Sequence, residues 1–296
     1  MTQWQTKSAC LAAATVLAWS SATALSAPPA RPADWTKVGA STLVFSPDGT
    51  TLATSFYSGD TYVHLWDAAT GKLRHRLEGH TKEPTSLAFT ADGKRLASLG
   101  GVEGVVRVWD VASGKQLAQF DDKGSQLAFA RDGRLATIGD RLRIWDVDKK
   151  TIVAEIPTAP VPKFKAKITP TAQHDALAWS VDGTSIAALT DWFGMVPNVN
   201  GEERATMEHH HQITLFDVAG KKVAQHWEDE NGPKTLSFSS DNRTVATTSG
   251  LKTTLWEAAT GKPRHLLDHQ GYAMINTAGV AFSPSGKHVA ATHAHG

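Results

Sequence analysis

One short unit, repeated with variations from Ser41 onward, governs what this chain can fold into. Its clearest copy, Gly79 to Asp110, reads GHTKEPTSLAFTADGKRLASLGGVEGVVRVWD. Three short β-type runs, Leu87–Phe89, Arg95–Ser98 and Val105–Trp109, are separated by turn chemistry at Ala91-Asp92-Gly93 and by a glycine-rich connection at Gly100–Gly104. A fourth run follows Ser113-Gly114-Lys115 and ends at Phe120. A sheet this short cannot bury both faces alone, so its copies have to stack on one another.

The copies keep one order of signals. Repeat one has runs at Thr42–Phe45, Thr51–Ser55, Val63–Trp66 and Leu73–Leu77 around the turn Ser46-Pro47-Asp48-Gly49. Repeats three, four and five turn at Asp132-Gly133, Asp182-Gly183 and Asp241-Asn242, and a sixth opens at Val280 with two runs only. First runs alternate large and small, as in Leu87-Ala88-Phe89 and Leu177-Ala178-Trp179, the period-two pattern of a packed strand. Third runs close on Trp66-Asp67, Trp109-Asp110, Trp145-Asp146, Phe216-Asp217 and Trp256-Glu257. With these dipeptides, the Gly79-His80 pair and the Asp-centred turns, the chain resembles the WD-repeat β-propeller family. The resemblance implies an all-β fold, a β-propeller of four-stranded antiparallel blades over 41–296 with five complete repeats and a partial sixth. It also implies a hydrogen-bonded set inside a blade. His80, Ser98, Glu103 and Trp109 are expected to form it in repeat two, Asp60 and Trp66 belong to it in repeat one, and repeats three to five keep less of it. A buried indole N–H and imidazole need partners, so the role of this set is structural.

The first 27 residues read differently. Lys7 precedes an apolar run from Ala9 to Ala18, and small residues follow at Ala22–Ala24 and Leu25–Ala27, the pattern of an export signal over 1–27 whose apolar part is too short to span a membrane. The expectation is a periplasmic or secreted protein with no membrane span after cleavage. Cys10, the single cysteine, lies inside the signal, which suits an oxidising compartment for the mature chain. Residues 28–40 read as a linker with a candidate closing strand, Asp34–Val38, for the incomplete sixth repeat. Thirty basic against 29 acidic side chains leave a net charge of +1, which offers nucleic acid or an anionic surface no general attraction.

Two long connections interrupt the array. Pro157–Asp175 joins repeats three and four, and Asp191–His211 joins the second and third strands of repeat four. In the family's layout both emerge on one face and should meet there, and long loops on a rigid scaffold are where binding sits. In the second, Gly194, Pro197 and Gly201 predict turns rather than a long strand, and Trp192, Phe193 and Met195 read either as interface anchors or as side chains folded back over the blade. The first brings Lys163, Lys165 and Lys167 around Phe164, alternate positions that suit an acidic partner or a solvated strand face. On an extended chain His209 and His211 point to one side, and with Glu208 they make a candidate set of metal ligands. The sequence shows no paired carboxylates, nucleophile beside a base, phosphate loop or haem-attachment motif. The primary reading is therefore a non-catalytic protein-interaction scaffold without a cofactor, its protein partner held at 157–175 and 191–211. The alternative is a metal-binding or small hydrolytic propeller built on the histidines of repeat four.

Overall fold

The computed structural model describes residues 40–56, 59–165, 168–196, 206–249, 252–268, 278–283 and 285–293. The export signal, the candidate closing strand, Lys167, Pro197 and Gly201 lie outside these residues. Twenty-two β-strands and no helix make up the secondary structure of the described residues. Blade one is β1 (Ala40–Phe45), β2 (Thr51–Phe56), β3 (Val63–Asp67) and β4 (Leu73–Leu77). Blade two is β5 (Ser86–Phe89), β6 (Arg95–Gly100), β7 (Val105–Asp110) and β8 (Gln116–Asp121). Blade three is β9 (Gln126–Phe129), β10 (Leu135–Ile138), β11 (Arg141–Asp146) and β12 (Thr151–Pro157). Blade four is β13 (Thr171–Trp179), β14 (Ser185–Val196), β15 (Thr206–Asp217) and β16 (Lys222–Glu228). Blade five is β17 (Thr235–Phe238), β18 (Thr244–Thr248), β19 (Lys252–Glu257) and β20 (Pro263–Asp268), and β21 (Ala278–Phe282) pairs with β22 (Val289–His293) to begin a sixth. The five complete sheets are antiparallel with their strands in chain order. First strands of successive blades are neighbours, from β1 beside β5 through to β17 beside β21, so the molecule is a β-propeller with the innermost strand first in each blade.

Turn chemistry sets the hairpin between the first two strands. Asp48 accepts hydrogen bonds from the Ser46 hydroxyl and Thr50 N, and Asp92, Asp182 and Asp241 accept the matching pairs from Thr90 and Lys94, Ser180 and Thr184, and Ser239 and Arg243. The next residue lies in the left-handed region, with φ of +71° at Gly49, +70° at Gly93 and Gly183, and +60° at Asn242, the side chain that tolerates it best after glycine.

The core lies between blades. Ala53, Val63, Leu65 and Leu77 of blade one pack on Leu87, Phe89, Leu96 and Trp109 of blade two. The other face of blade two, through Ala97, Leu99, Val106 and Val108, meets Leu127, Leu135 and Trp145 of blade three. Blade four divides its second strand in the same way: Ile186 and Ala188 face blade three, whereas Ala187 and Leu189 face blade five. Strand alternation thus sends successive side chains to different interfaces, and the sheets of blades two, three and four are covered on both faces.

Blade four departs from the others. Its β14 and β15 are twelve residues each, against four to six for the second and third strands of the other complete blades. The expected turns at Gly194 are therefore replaced by strand. The register that pairs Ser185 with Asp217 runs unbroken to Val196 with Thr206, and the continued ladder pairs the backbone donors and acceptors that the two strands turn toward each other. Residues Thr171–His174 of β13 add a third strand, pairing with Phe193 to Thr190. Gly194 lies against the first insertion, where a Cβ would meet the end of the Ile168 side chain and push it aside.

Candidate functional site

The two insertions meet on the extended part of blade four. Lys165 N donates to Glu208 Oε2 at 3.2 Å, Gln212 Nε2 donates to the Pro160 carbonyl at 3.2 Å, and Phe164 meets the His210 ring edge-on with centroids 4.7 Å apart. Trp192 is half-buried on this side and donates its indole N–H to Gln212 Oε1 at 3.3 Å, so it caps the blade. Phe193, on the opposite face, stacks on His209 at 5.7 Å. Met195 projects outward, as do Lys163 and Lys165.

Parity along β15 divides the histidines. His210 shares a face with Glu208, and its Nε2 and Nδ1 lie 3.0 Å from Glu208 and Glu228 respectively. Two carboxylate acceptors require two N–H donors. Burial opposes charge on this ring, but the two hydrogen bonds outweigh it and raise its pKa. Glu208 is thus occupied with His210 and the backbone of Lys165, and it does not join His209 and His211 as expected. The carboxylate that does is Asp191, directly across the hairpin from His211. Asp191 is 5% exposed; its Oδ1 lies 3.1 Å from His209 Nδ1 and 3.7 Å from His211 Nε2. Burial pulls the His211 pKa down, against the attraction of Asp191. Lys234, from the connection into blade five, pairs with Asp175 at 2.9 Å and approaches Asp191 at 3.6 Å.

The expected structural set is assembled in blade two. Trp109 Nε1 donates to Ser98 Oγ at 2.8 Å, Ser98 contacts His80 Nε2 at 2.7 Å, and His80 Nδ1 contacts Glu103 at 2.7 Å. An indole only donates, so the serine hydrogen goes to Nε2 and the ring keeps its proton on Nδ1 for Glu103. Burial holds His80 below its ordinary pKa despite Glu103. Glu103 would be raised by burial, but hydrogen bonds from His80 and Arg107 bring it down. In blade one the arrangement differs from expectation: Trp66 donates to Thr54 at 2.9 Å, whereas Asp60 holds Tyr62 N at 2.9 Å and sits 3.9 Å from His64, whose ring stacks on Trp66.

A family model described as "WD domain, G-beta repeat" matches residues 36–67 and 71–110, which include strands β1 to β7. That stretch is similar to WD40 repeats. Among curated proteins, small ribosomal subunit protein RACK1y of Oryza sativa subsp. japonica is 32% identical over 164 residues, which is 53% of this chain and 47% of the relative. RACK1z of the same plant is 36% identical over 137 residues, 44% of this chain and 39% of the relative. The chain thus spans less than half the length of these relatives. Among solved structures, hydrazine synthase of Kuenenia stuttgartiensis matches with a TM-score of 0.64 over 86% of this chain and 74% of that one, at 19% identity, a likeness of fold.

Blades three and five keep more of the structural set than sequence alone indicated. Asp122 accepts from Thr137 and from Trp145 Nε1, the latter at 2.8 Å, and Asp229 accepts from Thr247, which in turn accepts from Trp256 at 2.8 Å. Both acids stand where His80 stands, ahead of the first strand, and that position was the available signal. Blade four has no such set, because the residue in the tryptophan's place is Phe216. The position that is Thr54, Ser98, Thr137 or Thr247 elsewhere is Ala188 there, and both Phe216 and Ala188 are fully buried. Without an indole N–H no hydroxyl is required, and an unpaired one would be costly.

Proposed function

We propose that this chain is an exported, non-catalytic scaffold that holds a protein partner on the extended tip of blade four, along 157–175 and 191–211. One observation carries the reading. Met195 and Met207 are cross-strand partners at the far end of the long hairpin, 55% and 49% exposed. A paired, exposed methionine surface is adaptable and apolar, the character of a binding patch. Exposed Val161, Lys163 and Lys165 lie along the adjoining insertion, and they favour a partner with acidic groups around an apolar contact. Phe164 and Phe193 hold the patch on a rigid sheet through their ring contacts with His210 and His209. The WD40 repeats support a protein-binding role, and both RACK1 relatives bear the name of a ribosomal subunit protein, a member of a larger assembly. Export rests on the pattern of residues 1–27.

The test compares three baits against the exported-protein fraction of the native host: the native chain, a Met195→Asp/Met207→Asp variant, and a chain whose 191–211 segment is replaced by a short turn. Partners retained by the first and lost by both others support the proposal. Partners captured equally by all three overturn the site. Accumulation of the full-length chain in the cytoplasm, unprocessed, overturns export.

A further inference from the structure

We propose that Asp191, His209 and His211 form a binding site for a divalent transition ion of the zinc type, on the face of blade four turned toward blade five. The inference does not depend on the partner reading. All three donor atoms lie within 4.8 Å of one another. Tetrahedral zinc with nitrogen and oxygen ligands at about 2.0–2.1 Å places its donors about 3.3 Å apart. The 3.1 Å between His209 Nδ1 and Asp191 Oδ1, and the 3.7 Å between His211 Nε2 and the same oxygen, bracket that value.

The sheet builds the site. Asp191 and His211 are directly opposed in the β14–β15 register, and His209 lies two residues along on the same face. The backbone thus fixes the spacing of two ligands, while His209, with its side chain 44% exposed, sits at the rim. His209 is braced by the Phe193 ring, and the two imidazoles lie nearly parallel, with centroids 6.0 Å apart and an angle of 11°. Two imidazoles and one carboxylate select zinc, nickel or copper; calcium and magnesium require six or more oxygen ligands, or nearly so. Three protein donors leave one coordination position open at the exposed rim, for water or for a side chain of a bound molecule.

Lys234 is the competing cation. Its ammonium is held first by Asp175 at 2.9 Å and lies 3.6 Å from the Asp191 oxygen that is turned away from His211. It keeps the buried carboxylates compensated when the ion is absent, at some cost to ion affinity.

The experiment is a zinc titration by calorimetry of the full chain, purified without a histidine tag and stripped with chelator, with cobalt substitution read by visible absorption. One zinc per chain is expected, with the intense bands of tetrahedral cobalt. Asp191→Asn and His211→Gln should each weaken zinc by more than about tenfold, the scale that changes even in outer-sphere residues reach. Glu208→Gln should leave zinc affinity unchanged, and Lys234→Met should tighten it. Urea melts of each variant establish that it is folded before titration. No zinc uptake by the native chain, or uptake unchanged in a folded His209→Gln/His211→Gln variant, would overturn the proposal. Loss on Glu208→Gln equal to that on Asp191→Asn would overturn it as well.

Discussion

Ser98→Ala is expected to destabilise the propeller by about 2–4 kcal/mol, far more than the loss of one oxygen atom would indicate. Ser98 is fully buried, and its hydroxyl serves two buried partners, accepting from Trp109 Nε1 at 2.8 Å and reaching His80 Nε2 at 2.7 Å. Removing it leaves an indole N–H and an imidazole nitrogen without partners in an interior closed to water, at about 1–3 kcal/mol for each. The two losses share one network and do not add fully, which sets the range. Ser98→Thr keeps the hydroxyl, and threonine already fills this place in blades one, three and five, as Thr54, Thr137 and Thr247, each accepting from the tryptophan of its blade. The threonine variant should therefore retain most of the stability. Urea unfolding followed by tryptophan fluorescence measures the midpoint, and an unchanged m-value shows that the array still melts as one unit. If alanine costs less than about 0.5 kcal/mol, the level of an ordinary surface substitution, or if alanine and threonine are indistinguishable, the hydroxyl is not holding the blade together.

Phe216→Trp should destabilise by about 1–3 kcal/mol, because the site is fully buried and Ala188 offers the new N–H no acceptor; Ala188→Ser in the same chain should recover part of that loss in the same urea assay. Leu99→Ala should cost about 2–5 kcal/mol, since Leu99 is fully buried in the interface of blades two and three, whereas Arg95→Ala, which removes an exposed pair with Asp148, should cost no more than about 1 kcal/mol. Stability should fall as pH drops through about 6.5, because His64, His80 and His174 have their pKa values lowered by burial: below that pH the unfolded chain takes up protons that the folded one refuses. His210, raised, acts in the opposite sense, its contribution being lost as pH rises through its folded value, so His210→Gln should steepen the acid loss in urea midpoints taken from pH 8 to 5. A second loss is expected below about pH 4, where the turn carboxylates Asp48, Asp92, Asp182 and Asp241, held low by hydrogen bonds that outweigh burial, become protonated.

The features legible in the residue order are those written in neighbouring positions. The Asp-centred turns, the alternating first strands and the Trp-Asp closures each depend on contacts within a few positions, and their repetition implies stacked sheets because one sheet cannot cover its own faces. The hydroxyl that each of Trp66, Trp109, Trp145 and Trp256 meets lies on the neighbouring second strand and came to light only with the strand register, as did Ala188 in the matching place beside Phe216. Strand parity alone would have separated Glu208 from His209 and His211, because residues one apart face opposite sides of a sheet. That Asp191 takes its place could not be read that way. Its meeting with His211 depends on a register carried through twelve paired residues of β14 and β15, where slippage by one residue would turn the carboxylate to the other face. Gly194 illustrates the same division. Read locally it signals a turn, yet the continued ladder of β14 and β15 makes it a strand residue. Turn and strand patterns are local energies and survive in any copy of the unit. Which charged groups face one another across blades four and five is set by long-range packing, which no local pattern records.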